Sequence, residues 1–360
     1  MKIGIIGGGQ LGMMIAESAK KKGYKTICLD PNPKCSASHV CDEVIVGSFN
    51  DVKKLEELGK KADVLTYEFE NIVASNLEYI ASNFNIPEGI LPLYYSQNRL
   101  REKDNAIKHG LNPVPYYKVV TKEDLLGGVK KLGLPCVYKT TTLGYDGHGQ
   151  YLIKSEEDLE KVILASEGIL EKYLDFDYEC SIIMVRDKLT IKNIPISINI
   201  HKKGILDLSI AGEEKEIFKE IKEASYHFMQ SSNFYGILCI EYFVKGDKFY
   251  FNEMAPRPHN SGHYSIEGTT QSQYDLLVDF LTNKELEDSK LKSPTIMKNI
   301  LSEDYNKLDL FKNKKDVYIH DYYKGELRPR RKMAHITFTN LTYPKYQNMY
   351  QNIFEGETNE

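Results

Sequence analysis

The chain has 360 residues, of which 41% are hydrophobic and 27% charged, with a formal net charge of −4. At roughly 100–200 residues per domain this suggests two or three globular domains with real cores. The mixed, slightly acidic charge supplies no basic field to hold a polynucleotide, so a nucleic-acid partner is not expected.

The apolar start at residues 1–6 is cut short by Gly7-Gly8-Gly9-Gln10, which makes no signal-peptide core, and no stretch is long enough to span a bilayer. The pattern predicts a buried strand at 3–6, then a helix over 11–22 with Leu11, Met14, Ile15, Ser18 and Ala19 at helical spacing. Strands at 26–30, 44–46 and 64–67, with a helix over 51–60, continue the alternation and imply a parallel sheet wrapped by helices. Cys28, Cys35, Cys41, Cys136, Cys180 and Cys239 include no Cys-x-x-Cys pair and no accompanying histidine cluster. They read as reduced thiols of a cytoplasmic protein and give a zinc site little support.

A helix is predicted over 96–109 with Ser96 as its N-cap. Strands at 136–139 and 151–153 flank a glycine-bearing loop, and a helix is predicted over 156–165. Two hairpins follow, one of 180–185 with 189–198, the other of 237–244 with 249–254 turning through Gly246-Asp247. Residues 275–281 read as helix, and the last sixty or so residues as a small strand-rich piece with strands at 317–322 and 335–339. The expected organisation is α/β: a Rossmann-like domain at 1–95, a central domain at 96–285 and a strand-rich C-terminal domain at 286–360.

Gly7-x-Gly9-x-x-Gly12 follows a strand and opens a helix, and Asp30 ends the next strand at the spacing of a ribose ligand. The tight turn and the free N–H groups of a helix N-terminus suit a phosphate. They do not by themselves specify NAD, and a purely structural turn is the plain alternative. The loop after Lys139 carries Gly144, Gly147 and Gly149 between two strands and is no Walker A motif. Such a loop can fold over a triphosphate with Lys139 as a point charge, or be a surface hairpin. Glu171-Lys172-Tyr173-Leu174 and Glu179 suit an adenine edge and ribose hydroxyls, or are ordinary surface charge.

The second hairpin says more. Glu241 and Glu253 each interrupt an apolar strand, and a three-residue loop would set them opposite each other. Two carboxylates among apolar residues repel and are costly to bury, and a divalent cation removes that cost. With Asn252 adjacent, hard oxygen ligands suit Mg²⁺, or Mn²⁺, bound partly through nucleotide phosphates. A solvent-facing edge hairpin is the alternative. Directly after it, residues 255–264 pack two prolines, Arg257, His259, Asn260, Ser261 and His263 into a stiff polar loop able to position an anionic substrate.

Four segments together, Gly-Gly-Gly-Gln-Leu-Gly at 7–12, Tyr-Glu-Phe-Glu-Asn at 67–71, Gly-Tyr-Asp-Gly-x-Gly-Gln at 144–150 and residues 252–263, resemble the 5-(carboxyamino)imidazole ribonucleotide synthases. The likeness continues through Arg-Pro-Arg-Arg-Lys-Met-Ala-His at 328–335 and so runs over nearly the whole chain. It implies an ATP-grasp fold in the central domain and a pre-ATP-grasp domain before it, and a cytoplasmic homodimer. It also implies ATP-dependent carboxylation of 5-aminoimidazole ribonucleotide by bicarbonate through carboxyphosphate, in purine biosynthesis. By position, Arg99, Lys139, Gly144, Tyr145, Asp146, Gly147, His148, Gly149, Gln150, residues 171–174, Glu179, His201, Asn252 and Glu253 are expected to bind ATP. Glu241 and Glu253 are the expected Mg²⁺ ligands. Gly9, Gln10, Leu11, Glu68, Asn260, Ser261, Lys324 and Arg331 are the expected substrate contacts, with Tyr145, His148, Arg257 and His259 nearest the chemistry. The basic run 328–332 fits the same substrate anion. Two departures remove positive charge from the second glycine loop: His148 replaces a basic residue, and Thr141-Thr142-Leu143 lacks the family's basic residue and further glycine. His148 is therefore expected to act protonated, or a neighbour to compensate. Other readings are a different ATP-grasp ligase on a purine ribonucleotide, such as a formate-dependent transformylase, an NAD-dependent dehydrogenase, and a nucleotide-binding regulator without turnover.

Overall fold

The computed structural model describes residues 1–142 and 149–355. The expected loop residues Gly144, Tyr145, Asp146, Gly147 and His148 lie outside the described residues.

The N-terminal residues fold as expected. Four parallel strands stand in the order Glu43–Val46, Lys25–Asp30, Lys2–Ile6, Val64–Tyr67. The helix Gln10–Lys21 buries Met14, Ile15 and Ala19 against this sheet. The helix Val52–Lys61 is capped by Asp51, whose carboxylate accepts from the N–H groups of Lys53 and Lys54. Helix Gln10–Lys21 then docks on helix Gln273–Leu281 through Ser18 Oγ to Asp275 Oδ1 at 2.7 Å and Lys22 Nζ to Asp279 Oδ2 at 2.6 Å. One apolar core runs from Ile5 and Met14 through Tyr274 and Leu277 to Val185 and Met297, so the first glycine loop is held against the central sheet.

That central sheet is antiparallel and has nine strands among the described residues. Its order is Lys248–Ala255, Gly236–Lys245, Tyr178–Arg186, Ser197–Lys202, Ile205–Ala211, Thr295–Leu301, Lys332–Phe338, Val317–Asp321, with Ile191–Asn193 beside Tyr178–Arg186. The C-terminal strands thus extend the central sheet through Thr295–Leu301. A smaller antiparallel sheet, Tyr116–Val119, Gly168–Lys172, Cys136–Thr140, Gln150–Ile153, faces it.

Three local expectations are corrected. Ser96 is not an N-cap: it ends a short helix, Leu91–Ser96, and Asn98 caps the next, Arg99–Lys108, by accepting from Leu100 and Arg101. The segment at 156–165 forms only a 3₁₀ helix, Glu156–Lys161, started by a Ser155–Asp158 capping box. The hairpin Gly236–Lys245 with Lys248–Ala255 turns through two residues rather than three, and its extra residue sits inside the second strand.

Candidate active site

A cleft of about 550 Å³ opens between the N-terminal sheet, the small sheet and the central sheet. Glu241 and Glu253 stand opposite each other on paired strands and both line it, as expected, but for a different reason. Lys245 pairs with Lys248 and Tyr242 with Phe251, a register that would leave Glu241 opposite Asn252. A bulge at Asn252 moves Glu253 into that place. Arg99 Nη1 binds Glu253 Oε2 at 2.8 Å. Burial works against the Glu253 charge, but Arg99 outweighs it and holds the carboxyl below its usual range. Glu241 is buried, with Asn199 Nδ2 at 3.4 Å and His259 Nδ1 at 3.7 Å from its Oε1. Burial, then the charges of Glu253 and Glu179, push its carboxyl well up. Glu179 in turn is pushed to about 7 by burial and by Glu253, and its Oε2 stands 3.3 Å from His201 Nδ1.

Glu102, which the sequence did not single out, also lines the cleft. Its Oε1 accepts from the Met254 N–H at 2.7 Å, and burial together with Glu253 raises its carboxyl to about 8. Among the described residues no three His, Cys, Asp or Glu side chains gather as a metal cage. The donor set, a facing carboxylate pair in a cleft with several raised carboxyls, fits a hard cation completed by phosphate oxygens and water.

On the small-sheet side of the cleft, Glu171 is buried in strand Gly168–Lys172 between two lysines, Lys103 Nζ at 3.0 Å and Lys139 Nζ at 2.7 Å. Burial would raise the Glu171 carboxyl, but the two lysines pull it well below its usual range. Burial lowers Lys139, with Glu171 opposing. Lys103 also donates to the Asn252 carbonyl at 3.0 Å, tying this pair to the bulge. The N–H groups of Lys172 and Tyr173 bond the Pro115 and Pro135 carbonyls, which fixes the segment leading to Leu174. Both side chains are exposed, as are Gly149 and Gln150, and Gln150 lines the cleft. Arg99, Glu102 and Lys103 stand at i, i+3 and i+4 of one helix, so one helical face carries all three. That spacing was the signal for Glu102 and Lys103.

The first glycine loop is already engaged. Gly7 has φ +108°, where a side chain is strained and a Cβ would strike the Glu68 side chain. Gly9 N–H and Gly12 N–H both donate to the Glu68 carboxylate, Gly12 at 2.6 Å. Burial raises the Glu68 carboxyl, opposed by those two N–H groups. Asp30 takes Gly8 N–H at 2.9 Å on Oδ2 and Asn32 N–H at 2.8 Å on Oδ1. Both oxygens of Asp30 thus serve the turn itself, which gives Asp30 a structural role whatever the loop binds.

Gln10, Leu11 and Glu68 line the cleft beside Arg257, His259 and Asn260. Arg257 Nη2 pairs with Glu70 Oε1 at 2.5 Å, a partner available in the Tyr67-to-Asn71 motif but not singled out. Burial disfavours the charge, yet Glu70 raises the guanidinium. His259 Nδ1 meets Ser261 Oγ at 2.8 Å, and burial and Arg257 push the imidazole down to about 3. It is therefore neutral near pH 7. Asn260 exchanges amide hydrogen bonds with Asn299 at 3.0 and 2.7 Å. Ser261 is fully buried on Ser181 and supports the loop from beneath. Lys324 and Arg331 are not among the residues lining the cleft. Lys324 Nζ donates to the Lys332 carbonyl at 2.8 Å, and Arg331 Nη1 to the Glu326 carbonyl at 3.0 Å. Lys332, from the basic run at 328–332, lines the cleft instead.

Comparison with known proteins accounts for every part of this architecture. Residues 1–90 match the ribonucleotide synthetase pre-ATP-grasp domain and residues 105–274 the ATP-grasp domain. Residues 295–348 match the phosphoribosylaminoimidazole carboxylase C-terminal domain. The N5-carboxyaminoimidazole ribonucleotide synthase of Staphylococcus aureus (strain COL) is 40% identical over 365 residues, covering 98% of this chain and 96% of that protein. The chain belongs to the N5-carboxyaminoimidazole ribonucleotide synthase family. The Staphylococcus haemolyticus (strain JCSC1435) synthase is 38% identical over 361 residues, with coverage of 98% and 96%. A crystal structure of the S. aureus synthetase complexed with ADP superposes with a TM-score of 0.93 at 40% identity, covering 97% of this chain and 96% of that one. The Aspergillus clavatus synthase in complex with ADP and 5-aminoimidazole ribonucleotide superposes with a TM-score of 0.90 at 26% identity, covering 98% and 97%. Among the described residues no helix is long and apolar enough to cross a membrane.

Proposed function

We propose that this cleft carries out the family's reaction with the residues described above. The enzyme is an ATP-grasp carbon–nitrogen ligase that carboxylates 5-aminoimidazole ribonucleotide with bicarbonate and ATP. A bicarbonate oxygen attacks the γ-phosphorus and ADP leaves. The resulting carboxyphosphate breaks its acyl C–O bond to give CO₂ and phosphate. The exocyclic amine of the ribonucleotide then attacks CO₂ and loses a proton, giving the N5-carboxylated nucleotide.

No protein nucleophile is needed, so the chain's work is positioning and charge neutralisation. Arg99, Lys139, Gln150, Glu179, His201 and the 171–174 segment hold ATP, and Gly144, Tyr145, Asp146, Gly147, His148 and Gly149 share that role. Glu241 and Glu253 would hold Mg²⁺ or Mn²⁺. Such an ion would supply positive charge to neutralise the phosphates. Gly9, Gln10, Leu11 and Glu68 face the ribonucleotide together with Arg257 and Asn260, with buried Ser261 supporting their loop, and Lys324 bonds the backbone of Lys332 next to Arg331. Neutral His259, with Nδ1 accepting from Ser261, presents an Nε2–H donor to the substrate side of the cleft. The working unit is a homodimer.

The observation that carries this reading is that one continuous cleft joins the Glu68-bound glycine loop to the Glu241–Glu253 pair. The test is ADP release from ATP-Mg²⁺ with and without bicarbonate and 5-aminoimidazole ribonucleotide. Release that depends on both supports the reading. Release stimulated by neither, or by formate in place of bicarbonate, sinks it.

A further inference from the structure

His259 is held by more than its own loop. The side-chain amide of Gln273, which is fully buried, grips both backbone polar groups of this one residue. Its Oε1 accepts from the His259 N–H at 2.8 Å, and its Nε2 donates to the His259 carbonyl at 2.8 Å. The pair imitates one rung of an antiparallel ladder, built from a side chain, against a residue in extended conformation (φ −116°, ψ 148°). Without it the His259 N–H would lose its partner, since strand Lys248–Ala255 ends before it, and the carbonyl would keep the Gly262 N–H at 3.0 Å. The room for the amide comes from Gly262, where a Cβ would lie 2.8 Å from Gln273 Cδ and Nε2.

Gln273 is itself anchored three ways. Its N–H donates to Ser265 Oγ at 3.1 Å, which donates on to the Gly262 carbonyl at 2.6 Å. It sits in the first turn of helix Gln273–Leu281, started by a Ser272–Asp275 capping box. Asp275 also accepts from Ser18 of the helix that opens at the first glycine loop. One helix therefore ties the His259 backbone and the Gln10–Leu11 helix to the same frame.

We propose that Gln273 is a positioning residue of the carboxylation reaction, one that never touches substrate and acts by fixing the His259 imidazole over the ribonucleotide site. This rests on the role given to His259 above. With the backbone pinned at both N–H and carbonyl, the imidazole turns only about its own side-chain bonds, and Ser261 sets those through Nδ1. Releasing the pin lets the ring drift, and a displacement of about 1 Å can cost about 100-fold in rate.

The test uses full-length protein carrying Gln273→Met, which keeps the volume and removes both bonds to His259 together with the 3.4 Å contact of Nε2 with His263 Nδ1. It is read in the parent and in His259→Asn by ribonucleotide-dependent ADP release and thermal melting. In the parent background, Gln273→Met should lower kcat about 10–100-fold while KM for ATP stays within about twofold. In His259→Asn it should cost nothing further, because the group it positions is gone. Gln273→Leu, which removes the same bonds in a smaller apolar side chain, should give the same pattern across the two backgrounds and serves if Gln273→Met does not fold. An equal loss in both backgrounds, or no loss in the parent, overturns the positioning role while leaving His259 in place. Parental turnover in His259→Asn overturns instead the reading of His259 on which the proposal rests.

Discussion

The two walls of the cleft prepare for anions with different materials. On the N-terminal wall the cationic character is backbone: N–H groups of the glycine loop, two of which already hold the Glu68 carboxylate. On the opposite wall it is side chain: Arg99, Lys103 and Lys139, each already paired with Glu253 or Glu171. Neither wall waits as bare positive charge. In both, an internal carboxylate fixes the donors, so little reorganisation remains when a phosphate arrives. The difference is what breaks. Backbone donors survive a side-chain change and lose only their alignment, whereas an ion-paired wall loses a charge and strands its partner.

The sharpest way to break the comparison is Glu253→Gln. The amide keeps a bond to Arg99 but removes the charge facing Glu241, so turnover should fall about 10²–10³-fold with the fold retained. Turnover within threefold of the parent would show that the facing pair is not the centre of the cleft. Next is Lys103→Met. It leaves the Asn252 carbonyl and one side of buried Glu171 without a cation, and should cost about 3 kcal/mol in urea unfolding. A loss under about 1 kcal/mol would mean that Lys139 alone satisfies Glu171. On the other wall Glu68→Gln is milder. Gly9 and Gly12 both need acceptors and an amide offers one oxygen, so KM for the ribonucleotide should rise about tenfold with KM for ATP unchanged. A rise in KM for ATP instead would erase the division between the walls.

These contrasts also separate what was legible in the residues from what was not. Strand–helix alternation gave the N-terminal sheet because its periodicity is local. The Glu241–Glu253 pairing was readable from two apolar strands, but the reason was misplaced: the extra residue lies at the Asn252 bulge rather than in the turn, and a bulge leaves no mark in hydrophobic alternation. Glycine spacing announced an anion site, yet nothing local showed that Glu68, 56 residues after Gly12, occupies part of it. Lys103 and Gln273 went unnoticed because each acts through a partner distant in sequence, Glu171 and His259. Ser96 was a sound cap by type, and Asn98 two residues later was sounder in place.

The smallest effect concerns a region that neither wall uses. His263 and His335 are fully buried with ring centroids 4.8 Å apart, and each Nδ1 faces a tyrosine hydroxyl, Tyr274 at 2.9 Å and Tyr322 at 2.8 Å. His320 stacks on His335 at 4.4 Å and meets Glu267 at 2.9 Å. Burial holds both buried imidazoles well below their usual range, with neighbouring histidines adding to it. In the unfolded chain each takes up a proton as pH falls through about 6.5, while the folded protein does not, so each makes stability decline on acidification below that point. Buried Glu88 and Glu102, raised to about 7 and about 8, act in the opposite sense between their unfolded values and those pH values, so the parent's own curve mixes both. The difference between variant and parent isolates one histidine. His335→Gln should destabilise near pH 7.5 through lost packing and hydrogen bonding. Its penalty should then shrink by about 1.4 kcal/mol per pH unit below 6.5, because the variant no longer resists that protonation. Urea unfolding at pH 7.5, 6.5 and 5.5 reads this directly. A penalty constant across the three would mean that His335 takes up its proton in the fold as readily as in the unfolded chain.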